Sequence, residues 1–201
     1  MKNGRRIFAL ICLLSMACIF QAFSQEIPAA NPIVKTGGWS AILGTHPVLF
    51  GSKERLRALA KENPEAYGEI RKEKELMFLC ITQAVEGLKK DKIESVIAQI
   101  MKKVDAGASN KHQDTWTDLT DAALVYDYFY EEIPAEKRKK IVDWMNAVFE
   151  GYTDDENFFH NSTLSKILTY LRIAYATWKD NPKAKDFRNK ALVQLYENGV
   201  V

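Results

Sequence analysis

Apolar residues recur along this chain at spacings of three or four, segment after segment, with no convincing alternation at period two. That pattern limits the fold to packed helices, because a half-buried strand needs alternation. Punctuation agrees with the period. Ser52 is placed to cap a helix through Leu59, and Asn63-Pro64 supplies a cap and a first-turn proline for a longer helix toward Lys89. Ile93 to Val104 forms a short amphipathic piece, stopped by Asp105-Ala-Gly107. From Asp118 onward Leu119, Ala122, Ala123, Tyr126, Phe129 and Tyr130 share one helical face while Leu124, Val125 and Tyr128 fill another. A helix apolar nearly all round is buried among others.

Pro134 opens the next helix, with Ile141, Trp144, Met145, Val148 and Phe149 opposite a charged Glu136-Lys-Arg-Lys-Lys140 edge that reads as a solvated face. Asn161 or Ser162 caps a helix striped with Leu164, Ile167, Leu168, Leu171, Tyr175 and Trp178, and Asn181-Pro182 turns into a last helix with Phe187, Leu192 and Leu195. The expected fold class is all-α: helical hairpins on short loops, without a strict internal repeat but at the length of helical hairpin arrays. Trp144, Phe149, Leu168, Leu171 and Trp178 are expected in its core.

Ahead of the helices, Lys2, Arg5 and Arg6 precede an uncharged apolar run from Ile7 to Phe20, then small residues before Gln25. This is the pattern of a cleaved signal peptide over 1–24, since the run falls short of the roughly 20 apolar residues that span a bilayer. Cleavage before Cys18 to give a lipoprotein is the alternative, with Ser15 where a lipobox usually has leucine. The expected location is periplasmic or secreted, with no stable membrane span after cleavage. Residues 25–51, rich in proline and glycine, form an extended lead-in on the domain surface, and 52–201 form the helical domain.

Loss of the leader removes three basic residues from totals of 28 basic and 26 acidic, leaving a nearly neutral chain with no footprint for nucleic acid. Cys12 and Cys18 go with it. Cys80 remains alone in Leu76-Met-Phe-Leu-Cys-Ile81, where a small buried hydrophobe is the expected role. No phosphate loop, dinucleotide fingerprint, nucleophile elbow or Cys-x-x-Cys occurs, and His46, His112 and His160 are widely separated, so neither a cofactor nor a metal is expected. The distinctive local cluster is Asp154-Asp-Glu-Asn-Phe-Phe-His-Asn161, a set of acids, aromatics and amides leading into a helix. It suits either a sugar-facing cavity or a plain N-cap with core aromatics.

Several phrases, in order, resemble secreted heparinase II/III-like and alginate-lyase-like proteins. Thr45-His-Pro-Val-Leu-Phe-Gly-Ser-Lys-Glu-Arg-Leu-Arg-Ala-Leu59 is similar to their opening segment. Ala122-Ala-Leu-Val-Tyr-Asp-Tyr-Phe-Tyr130 and Ile133-Pro-Ala-Glu-Lys-Arg-Lys-Lys-Ile141 resemble the Tyr-Asp helix and the start of the next. Phe159-His-Asn161, Ala174-Tyr-Ala176 and Asp180-Asn-Pro-Lys-Ala184 look like the following hairpin.

The resemblance implies part of an incomplete (α/α) toroid, normally longer and followed by β-sheet domains, which are expected to be missing here. It further implies cleavage of uronic-acid-containing polysaccharides by β-elimination, with an acidic polysaccharide as partner. That reaction needs the uronate carboxylate neutralised, a base for the C5 proton and an acid for the leaving oxygen. Carried over by position, Asn161 is the catalytic neutraliser and His160 its neighbour, in the reverse of the family's Asn-His order. The family's acidic tyrosine is expected beyond residue 201. Two other readings stand beside this one: a glycoside hydrolase, for which Asp154, Asp155 or Glu156 offers one carboxylate without an identified second, and a non-catalytic glycan-binding helical module.

Overall fold

The computed structural model describes residues 46–107, 114–151 and 161–197. Its helices are α1 (Lys53–Glu62), α2 (Pro64–Ile70), α3 (Leu76–Val85), α4 (Lys90–Asp105), α5 (Asp114–Tyr128), α6 (Ala135–Gly151), α7 (Asn161–Ala176) and α8 (Ala184–Glu197). No strand occurs among the described residues. None of these helices is long and apolar enough to cross a membrane. The proposed leader, 1–24, and most of the lead-in lie outside the described residues.

Alternate helices lie side by side. Helices α1, α3, α5 and α7 form one row of successive neighbours, while α4 packs on α6 in a second. Phe149 of α6 meets Phe187 of α8 at 4.1 Å between ring centroids, continuing that second row. Hairpin contacts α4 to α5, α5 to α6 and α7 to α8 join the rows. This is a two-layer array of hairpins, in which a helix packs on its second neighbour as well as its first.

Helix α5 is its spine. Leu119, Ala122, Ala123, Val125, Tyr126 and Phe129 are wholly buried, as its all-round apolar character requires. Cutting Leu119 to alanine would leave a cavity costing about 2–5 kcal/mol. Lys103 of α4 reaches Asp118 and Asp121 of α5 at 2.6 and 3.0 Å, and Trp144 donates from its indole to the Gly107 carbonyl at 3.1 Å. Gly107 ends α4 at φ 84°, the left-handed conformation that glycine adopts without penalty.

The helix starts follow the caps. The Ser52 hydroxyl accepts from the Arg55 amide at 3.3 Å, and Pro64 sits in the first turn of α2. The expected long helix from Pro64 toward Lys89 is instead two helices separated by 71–75. Arg71-Lys-Glu-Lys-Glu75 is a solid run of charge, and α2 buries no residue, whereas α3 buries every residue from Phe78 to Ala84. One straight rod cannot serve a segment that seeks water and one that seeks the core. Helix α5 also starts earlier than expected, at Asp114.

Trp144 and Leu171 are buried, as expected, but Phe149, Leu168 and Trp178 are only half-buried and Leu164 is 42% exposed. The lead-in differs too. Residues 46–50 do not merely lie on the surface: Pro47 is buried, and its neighbours are held by α5.

Candidate functional site

At the middle of the α5 row a carboxylate, Asp127, is 0% exposed within the apolar core. A buried charge is tolerated only when its lone pairs are filled. Three residues of the lead-in fill them. His46 approaches through Nδ1 at 2.9 Å from Oδ1, the Val48 amide donates to both oxygens at 3.1 and 2.8 Å, and the Leu49 amide donates to Oδ2 at 2.8 Å. The next amide, Phe50, donates to the Tyr128 hydroxyl at 3.2 Å. Burial pushes the Asp127 carboxyl up; His46 and the Leu49 and Val48 amides offset this only in part, leaving it above its ordinary value.

The His46 ring stacks on Tyr130, centroids 3.9 Å apart and planes 10° from parallel. The Arg138 guanidinium lies 4.3 Å from the Tyr130 centroid and also donates to the Tyr130 and Ile133 carbonyls at 2.9 and 2.7 Å. Arg138 thereby ties the end of α5 to the start of α6, and the edge expected to be wholly solvated is engaged at this residue. Tyr126, edge-on to Tyr130, donates to Asp180 at 2.6 Å. Burial would raise the Asp180 carboxyl, but hydrogen bonds from Tyr126 and Tyr130 and the positive Arg138 outweigh it and hold the group below its ordinary value. Burial and the Asp180 carboxylate push the Tyr126 phenol up, so it remains a donor.

Asp127 has its lone pairs occupied by N–H donors, and Tyr130 is contacted by His46 and by Arg138. These groups organise the site. The His46 side chain, with Nδ1 against Asp127, keeps 11% of its surface exposed, and Asp180 at the other side of the cluster is exposed. Cys80 lies nearby but is inert, its thiol pushed well up by burial and then by Asp127 and Asp121.

Of the two residues expected to be catalytic, His160 lies outside the described residues, and Asn161 is described only as the first residue of α7, without its side chain. The bonded cluster among the described residues is made by His46, Asp127, Tyr130, Arg138 and Asp180, with Tyr126. One sequence signal pointed to that cluster: Asp127, a carboxylate set within the apolar run from Ala122 to Tyr130. Among the described residues no group of three His, Cys, Asp or Glu side chains is arranged to hold a metal ion. Comparison with known proteins returns no matching family model, no matching curated protein and no matching solved structure.

Proposed function

We propose that this chain is the helical, N-terminal toroid part of a secreted polysaccharide lyase that cleaves uronic-acid-containing glycans by β-elimination. The observation supporting this reading is a convergence. Four phrases on which the family resemblance rests, scattered over more than a hundred residues, meet in one bonded cluster: His46 from the first, Tyr126, Asp127 and Tyr130 from the second, Arg138 from the third and Asp180 from the fourth. A fortuitous set of short matches has no reason to coincide with the residues that pin the lead-in to α5 and the α7–α8 turn. The packing of alternate helices into two rows also suits an (α/α) toroid.

In this reading the cluster fixes the first hairpins, and Asn161 at the start of α7 neutralises the uronate carboxylate, with His160 beside it. The acid belongs to a part of the protein beyond residue 201, so the 201 residues alone show no turnover. The test follows ultraviolet absorbance of unsaturated uronate when heparan-type, hyaluronan and alginate polymers meet the protein expressed from its whole reading frame. Turnover that falls at least a hundredfold in Asn161→Ala, with stability changed by no more than about 1–2 kcal/mol, is the expected result. New reducing ends without absorbance would instead mark a hydrolase, and binding without either product a glycan-binding module.

A further inference from the structure

Between α4 and α6, in the second row, runs an open groove of about 530 Å³, inside the roughly 300–1,000 Å³ typical of ligand clefts. We infer that it is a subsite for a uronate-bearing oligosaccharide strand, an inference that rests on the acidic-glycan reading above.

Lys102, Lys137 and Lys140 line the groove together with Asp105 and Glu136. Among the described residues none of these five side chains forms an ion pair or a hydrogen bond. Their neighbours in sequence do. Lys103 is held by Asp118 and Asp121, Lys139 by Asp143 at 2.6 Å, and Arg138 by two carbonyls and the Tyr130 ring. Outside the groove on the same two helices, Lys90, Lys103, Arg138 and Lys139 are engaged, while Lys92 is not.

The mixture of signs selects the ligand. A nucleic acid backbone needs a surplus of positive charge, and here three ammonium groups are opposed by two carboxylates. A uronate strand uses both signs: ammonium groups take its sugar carboxylates, while Asp105 and Glu136 accept from its hydroxyls. Ala98 and Met101 complete the lining with apolar surface for the C–H face of a sugar ring. Every charged group except the half-buried Lys137 is exposed, so binding is weak and salt-sensitive.

The test is calorimetric titration of the full chain with a mannuronate tetrasaccharide, and with a neutral mannose tetrasaccharide of equal length, at low and physiological salt. Lys137→Ala/Lys140→Ala is expected to weaken tetramannuronate binding about five- to twentyfold. Lys61→Ala, on α1, is expected to leave it unchanged, and dichroism confirms that all three proteins are folded. Tetramannuronate binding that the double variant leaves intact overturns the groove while sparing the lyase reading, which the absorbance assay decides separately. Equal binding of the neutral oligosaccharide, or no binding of the acidic one, also overturns it.

Discussion

Replacing Asp127 by alanine removes the acceptor for three donors, His46 Nδ1 and the Val48 and Leu49 amides. Each donor stranded away from water costs about 1–3 kcal/mol. The lead-in around them is half-buried, so water can reach part of it and the lower end applies, giving a total of about 3 kcal/mol. Relief of the buried charge does not cancel this, because the substitution leaves the donors in place. For a domain of this length each kcal/mol moves the melting midpoint by roughly 2–4 °C, so Asp127→Ala should melt about 6–12 °C below the parent. His46→Ala removes one donor together with its own need for an acceptor, and it should cost about half as much. The assay is denaturant unfolding followed by far-ultraviolet dichroism on both single variants and the double. The double should fall short of additivity by about 1 kcal/mol or more. A loss below about 1 kcal/mol for Asp127→Ala, or strict additivity, would refute the idea that these bonds hold the lead-in to α5.

Asp180 gives a pH signature: its folded carboxyl lies below the ordinary value, so its stabilisation is present above the unfolded pKa and is lost as pH falls through the lower, folded one. Denaturation between roughly pH 5 and pH 2 should therefore be less steep in Asp180→Asn, by well under 1 kcal/mol for so exposed a group. Asp127, shifted upward, works in the opposite direction over that window, so the comparison is best made within one background. Cys80 should resist alkylation in the native protein and react fully in denaturant, as read by peptide mass; rapid native labelling would contradict its burial.

Much of the helical layout is written in local chemistry. Ser52, Pro64, Gly107 and Pro134 act within a turn of their own position, and the boundaries they mark agree with the structure. The break between α2 and α3 was hidden because the three- and four-residue spacing from Ile70 to Leu88 continues through the charged run; only burial shows that the two segments have different destinations. The cluster was half legible. An aspartate among Ala122 to Tyr130 announces a buried charge that must be paired, but nothing local says that its partners come from residues about eighty positions earlier. Arg138 was hidden in the opposite way, since a basic run reads as solvent-facing until one member is seen against an aromatic ring.

The span between His46 and Asp127, 81 positions, also sets an order of events in time. At a synthesis rate of roughly 5–20 residues per second, Asp127 leaves the ribosome about 4–16 s after His46. Through that interval the lead-in has no carboxylate to close upon, and the first hairpins emerge without their anchor. The segment made first is thus among the last to be fixed.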